Sequence, residues 1–194
     1  ATSGTIHVGG EDLTGAPPLS FQRAGVGHIP EDRLRSGFAG ALSIAYNSIL
    51  REYRKPPVGG RALFSRSGAN QLAMQIVEEA RVTIPSLTAK LGGLSGGNQQ
   101  RLIAAREARI AQRLMIAVYP TRGLDVGAIE RLHEMMLRLR EEGVAIILIS
   151  EDLDELVQVA DRIAVLFHGR IAGEADPETT TREALGLLMG GKSA

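Results

Sequence analysis

The chain has 194 residues, with 22 basic and 22 acidic side chains, no Cys and no Trp. That length fits one domain with a real core, and an apolar content of 44% argues against disorder. Balanced charge gives no reason to expect nucleic acid or an anionic membrane as a partner, and without Cys there are neither disulfides nor thiolate metal sites.

Thr5 to Leu13 reads as a hairpin turning at Gly9-Gly10, and Pro17-Pro18 breaks the pattern. Gly25 to Ile29 reads as a further short strand. Residues 41–109 are expected to be mostly helical, with Leu72, Ile76, Val77 and Ala80 as an apolar stripe at helical spacing. Arg54 to Gly68 is punctuated like an exposed loop. Leu114 to Val118 is a short apolar run, predicting a buried strand. A helix follows with Ile129, Leu132, Met135, Met136 and Leu139 on one side, closed by Gly143 in a left-handed cap. Val144 to Ile149, the longest apolar run, predicts a second buried strand and falls far short of the roughly 20 residues that span a bilayer. Nor does the chain open on a charged-then-apolar leader. Leu153, Leu156, Val157 and Ala160 line a short helix. Arg162 to Gly173 makes a hairpin turning at His168-Gly169, and Thr180 with Glu183 forms a capping box for a final helix. Alternation of strand and helix is the pattern of a parallel sheet with covering helices.

Four histidines, His7, His28, His133 and His168, are scattered without ligand spacing and read as surface or loop residues. Arg101, Arg106, Arg109 and Arg113 read as a solvated helix face, with an ion pair to Glu107 as the alternative. Glu151, Asp152, Asp154 and Glu155 read as an acidic cluster without a catalytic role.

The most informative stretch is Leu94-Ser95-Gly96-Gly97-Asn98-Gln99-Gln100-Arg101. Ser95 is a good N-cap, and two glycines leave bare N–H groups at a helix start, which suits a phosphate. As a bare Ser-Gly-Gly it reads simply as a capped helix. Pro120-Thr121-Arg122-Gly123-Leu124-Asp125 follows after a strand. Together these segments resemble the ABC transporter ATPases, with Leu94 to Gln99 matching the signature motif and Leu124-Asp125 the D-loop. Pro30-Glu31-Asp32-Arg33 resembles the segment that the second ATPase half of sugar and nucleoside importers carries at the Q-loop. The resemblance runs from about Ser3 to Gly190.

The resemblance implies an α/β fold: a partial RecA-like core with a helical insertion and a small antiparallel front piece. Residues 1–194 would be one such domain, with the helical subdomain at 41–105, the core at 106–175 and the C-terminal helix at 176–194. Ser95, Gly96, Gly97, Asn98, Gln99 and Asp125 are the implied nucleotide-binding residues. ATP and Mg²⁺ are the implied cofactors of the intact transporter. The implied partners are the other ATPase half, transmembrane permease subunits received near Ser43 to Asn47 and, indirectly, a solute-binding protein. The implied place is the cytoplasmic face of the membrane.

Departures from the family pattern set further expectations. No G-x-x-G-x-G-K-[ST] phosphate loop occurs among the 194 residues, so the chain is expected to lack its front segment and to bind no nucleotide by itself. Val118 stands at the Mg²⁺-binding Asp position and Tyr119 at that of the general base. With a reference pKa of about 10, Tyr cannot act as that base near neutral pH. Glu151 stands at the switch-His position, where a carboxylate repels phosphate, and Glu31 stands at the Q-loop Gln. These changes imply a hydrolytically degenerate half that serves its partner's site. The residues around Tyr119 and Ser150-Glu151 look closer to nucleoside than to ribose importers. Two alternatives stay open: a soluble ABC ATPase of DNA repair or translation, and a non-catalytic interaction module.

Overall fold

A computed structural model describes residues 3–60 and 63–191. Residues 61 and 62 of the expected loop, and the outermost residues of the expected 1–194 domain and 176–194 segment, lie outside the described residues. The front hairpin pairs β1 (His7–Val8) antiparallel with β2 (Glu11–Asp12), turning through Gly9 and Gly10, both at positive φ. Pro17-Pro18 does more than break a pattern. Pro17 is the N-cap and Pro18 the first residue of helix α1 (Pro18–Arg23), where a missing N–H costs nothing.

Strand β3 (Val26–Ile29) runs parallel to β4 (Leu114–Val118), with Val26 opposite Leu114 and Ile29 opposite Ala117. The sheet order is β3-β4-β5, where β5 is Ala145–Ile149. Between β3 and β4 the chain builds α2 (Ile44–Ile49), α3 (Arg66–Glu79) and α4 (Gly96–Ile110). Ile44, Leu72, Ile76, Leu91 and Leu102 interlock as their core. Burying side chains of this size is worth about 1.5–3 kcal/mol each, enough to hold short helices that would not stand alone.

Gly68 corrects the expected loop, since it lies in the first turn of α3. A Cβ there would sit 2.1 Å from the Pro57 carbonyl oxygen, so glycine lets the helix start press against the loop before it. Helix α5 (Val126–Glu141) buries Leu132, Met136 and Leu139, leaves Ile129 and Met135 half-buried, and ends at Gly143 with φ 87°. His133 is buried on the same helix rather than on the surface.

Strand β5 departs from expectation. Val144 is buried, but Ile147 and Ile149 are 49% and 43% exposed. An all-apolar run suits a strand covered on both faces, and here one face lies open among the described residues.

The chain divides into two compact units, Ala1–Ile147 and Leu148–Ala194. The second contains α6 (Leu153–Val159), the antiparallel pair β6 (Ile163–Phe167) and β7 (Arg170–Ala175), and α7 (Arg182–Met189). Its core joins Ile163, Val165, Leu185 and Leu188. Thr181, not Thr180, caps α7, accepting from the Ala184 N–H at 3.1 Å. Val157, expected on the apolar side of α6, is exposed. Among the described residues no helix is long and apolar enough to cross a membrane.

Candidate functional site

The loop before α4 is pinned from behind. Leu91 is fully buried, its N–H donating to the Leu42 carbonyl at 3.1 Å, and the Gly92 N–H donates to Gly40 at 3.2 Å. Ser95 then takes an extended conformation, which is what an N-cap needs, and its Oγ accepts from the Asn98 N–H at a long 3.4 Å. Helix geometry leaves the Gly96 and Gly97 N–H groups without intrahelical acceptors. Ser95 is exposed, so this donor-rich turn opens to solvent.

Gln99 does not share that exposure. Its side chain is buried and its Nε2 donates to the Leu94 carbonyl at 2.9 Å, folding the turn back on itself. Asn98 is half-buried, its Oδ1 accepting from Arg101. Of the sequence-expected set, Gln99 and Asn98 therefore brace the turn, while Ser95 is exposed at its rim and Gly96 and Gly97 are half-buried beside it.

Two other segments of the first unit meet this rim. Asp125 caps α5, with Oδ1 accepting from Ala128 at 2.9 Å. Its Oδ2 lies 3.7 Å from where a Gly97 Cβ would be. On the other side, Arg33 reaches over Gly96, and a Cβ there would meet its Nη2 at 2.7 Å. The two glycines thus leave room for a cation and a carboxylate to flank one helix start.

Gln100, unremarked in the sequence, fixes this meeting. It is buried, and its Nε2 donates to the Pro120 carbonyl at 2.8 Å, tying α4 to the turn between β4 and α5. Nothing in the local spacing marks it, because its acceptor lies 20 residues away.

Arg106 and Glu107 overturn the solvated-face reading and bear out the ion pair. They are 5% and 1% exposed and joined at 3.0 Å. Arg106 also donates to the carbonyls of Asn47 at 3.1 Å and Gly37 at 2.7 Å. Glu107 accepts the His28 N–H at 3.2 Å and faces Arg51 at 3.4 Å. One buried pair therefore links α4 to β3, to α2 and to the segment that carries Arg33. Arg109 and Arg113 are also engaged, with Glu79 at 2.8 Å and Glu11 at 3.4 Å.

The end of β4 is built differently. Val118 is half-buried and offers no ligand atom. Tyr119 follows at φ 46°, a left-handed conformation that a bulky residue adopts only at a cost. The Arg122 guanidinium stands 6.0 Å from its ring and 3.8 Å from the Glu31 carboxylate. No carboxylate extends from the strand end itself, so these residues do not fit Mg²⁺ coordination there.

Glu151 belongs to the second unit and is exposed. Beside it, Ser150 Oγ donates to Glu155 at 2.5 Å, and Asp152 caps α6. The acidic cluster thus has structural work: Glu155 is buried and Asp152 holds two backbone N–H groups.

No protein-family model matches the chain. A nucleoside import ATP-binding protein of Lactococcus lactis is 42% identical over 189 residues, which cover 97% of this chain and 37% of that protein. A guanosine import ATP-binding protein of Bacillus subtilis is 39% identical over 98% of this chain and 38% of its own length. A ribose import ATP-binding protein of Rubrobacter xylanophilus is 38% identical over 100% of this chain and 39% of its own. The chain thus spans less than two-fifths of the length of these relatives. Among solved structures, a dimeric ATP-binding cassette in a post-hydrolysis state with ADP and Pi superposes with a TM-score of 0.74 at 19% identity, over 91% of this chain and 74% of that one. Over nearly its whole length the chain is homologous to ATP-binding proteins of sugar and nucleoside import systems, and its fold is that of the ABC nucleotide-binding cassette.

Proposed function

We propose that this chain is the second, hydrolytically degenerate cassette of an importer for nucleosides or simple sugars, and that it serves the nucleotide held by the other ATPase half. The observation that carries the reading is the open first turn of α4. Ser95 Oγ and the Gly96 and Gly97 N–H groups face outward beside Asp125. Free donors on the positive end of a 15-residue helix suit a terminal phosphate.

Val118, Tyr119 and Glu151 replace the groups that would bind metal, activate water and stabilise developing charge. In this reading ATP and Mg²⁺ belong to the partner half's site, which this chain completes, and the chain alone has no Mg–ATP site. The helical subdomain spans 41–105, ahead of the core at 106–175 and the C-terminal segment at 176–194. Permease subunits dock near Ser43 to Asn47, where Tyr46 is the exposed member and Asn47 is buried as a brace, its Nδ2 donating to Ala39 at 2.9 Å. A solute-binding protein acts through the permease, and the cassette works peripherally at the cytoplasmic face. The similarity to nucleoside and guanosine import proteins supports a nucleoside as the solute.

The test uses the intact transporter in reconstituted membranes. Ser95→Arg puts a bulky cation into the open turn and is expected to abolish ATP-driven uptake while the variant still assembles. Undiminished uptake would mean that this cassette completes no working site.

A further inference from the structure

A second basic region lies away from the open turn, behind it on the same helix. Helix α4 presents Ala104, Ala105 and Ala108 to α5, and these short side chains leave a cleft of about 120 Å³ between the two helices. That is several times the roughly 10–15 Å³ that one water needs. Four arginines line it: Arg81, Arg101, Arg131 and Arg138.

Two carboxylates also line the cleft, Glu79 and Glu134. They do not balance the charge. Glu79 is held by Arg109, which is not a lining residue, at 2.8 Å. Arg101 spends one nitrogen on the Arg81 carbonyl at 3.0 Å and another on the Asn98 side chain. Its Nε, and that of Arg131, are shielded from water without a hydrogen-bond partner. Leaving a desolvated polar group unpaired costs on the order of 1–3 kcal/mol. Burial disfavours the charge on Arg101, and the neighbouring Arg131 disfavours it further, against a partial offset from Asp125. Like charges are thus gathered at a cleft whose floor is mostly alanine.

We propose that the cleft between α4 and α5 is a binding site for a phosphate-class oxyanion, held by Arg101 and Arg131 with Arg81 and Arg138 at its rim. Guanidinium groups present several N–H donors in a fixed plane, which matches a tetrahedral oxyanion. A dianion would neutralise the excess positive charge gathered at the cleft. The alanines supply the space, since a longer side chain at Ala104 or Ala108 would fill it. The cleft is not the open turn at Ser95, although Arg101 reaches both through the Asn98 side chain, and the proposal does not depend on the transport reading.

The test titrates the purified chain with inorganic phosphate and with pyrophosphate at constant ionic strength, followed by calorimetry and thermal unfolding. Saturable binding is expected for both, tighter for pyrophosphate, with a rise in Tm. Arg131→Gln and Arg101→Gln should each weaken it at least tenfold, whereas Ser95→Arg should leave it unchanged. Without ligand, Arg131→Gln should keep or raise the Tm, because a like charge is removed, so a loss of binding there cannot be put down to unfolding. Absence of saturable binding at millimolar anion would overturn the proposal. So would binding undiminished by Arg131→Gln, and so would binding lost in Ser95→Arg, which would place the anion at the helix start.

Discussion

The first turn of α4 and the last residues of β4 belong to one unit and are joined through the Gln100–Pro120 hydrogen bond, yet their polar groups are spent in opposite ways. At the helix start the side chains turn inward to brace the backbone, Gln99 onto Leu94 and Asn98 onto Arg101, which leaves the N–H groups of two glycines facing out. At the strand end the backbone is twisted into a left-handed residue, and a Tyr, an Arg and a Glu gather over it. One end keeps the means of meeting an anion. The other ends in an aliphatic and an aromatic side chain, Val118 and Tyr119. On the proposed reading this cassette has lost its own chemistry and kept what it presents to a neighbour, because the two depend on different residues.

That comparison is broken most severely from behind. Arg106 supports the open end, because it holds the Gly37 and Asn47 carbonyls and neutralises Glu107. Replacing it with Leu strands a buried carboxylate against the half-exposed Arg51. Removing one partner of a buried pair costs about 3–5 kcal/mol, a large share of the stability of any domain. Urea unfolding of Arg106→Leu should show that loss, with Arg106→Lys intermediate, since Lys keeps the charge but cannot reach both carbonyls at once. A loss below about 1 kcal/mol would mean that the network is not what holds the open turn in place.

A smaller effect is expected at the other end. Tyr119 sits at φ 46°, where a non-glycine residue costs about 1–2 kcal/mol. Tyr119→Gly removes that strain but frees the unfolded chain and gives up the Arg122 contact, each worth about 0.5–1 kcal/mol. The net change should be near zero or slightly stabilising, and thermal unfolding measures it. A clear destabilisation would show that the Tyr ring is structurally required there.

What the sequence discloses follows from range. Ser95 and the glycine turns act over three or four residues, so capping and turning there are legible from spacing, whereas Asp125 is marked out only by the family resemblance. The stripe Leu72, Ile76, Val77, Ala80 is legible too, because helical period and burial coincide on α3. Arg106 is not, because its acceptors lie 59 and 69 residues away and an Arg at helical spacing ordinarily faces water. Gln100 escapes notice for the same reason. Thr180 and Thr181 are equally good caps by type, and only backbone geometry chooses between them. The open face of β5 is illegible because an apolar run states a preference for cover without saying what supplies it.

A pH titration sharpens the contrast between the two ends of α4. Burial holds His28 below its ordinary value of 6.5, Arg51 adds to this, and Glu107 works against it. The unfolded chain therefore binds a proton more readily than the folded one as pH falls through 6.5. Stability should be fully present above that value and decline through the window just below it. The effect is small because the ring is only partly shielded. Melting curves between pH 7.5 and pH 5.5, values near about 6.5 being where a His titrates, should show a modest fall that His28→Gln flattens. An unchanged slope in His28→Gln would assign the titration elsewhere.

The smallest expected effect bears most directly on the proposed function. Val118→Asp with Tyr119→Glu returns the carboxylates that an active cassette would carry at the end of β4, and on the proposed reading it should add little ATP hydrolysis to the intact transporter. Hydrolysis needs metal, base and phosphate stabilisation together, and groups that act as one unit do not contribute additively. The double variant supplies the first two at most. It leaves Glu151 at the position where positive or neutral character is wanted, and it leaves Arg122 beside Glu31 with one more carboxylate competing for it. Two new carboxylates side by side also disfavour each other's charge, which raises the pKa of one of them and weakens metal binding. The measurement is the ATPase rate of the reconstituted transporter, with the other half's site inactivated so that only this one is counted. A rise of more than about tenfold, worth about 1.4 kcal/mol in the barrier, would mean that the two ends of this cassette differ less than their side chains suggest.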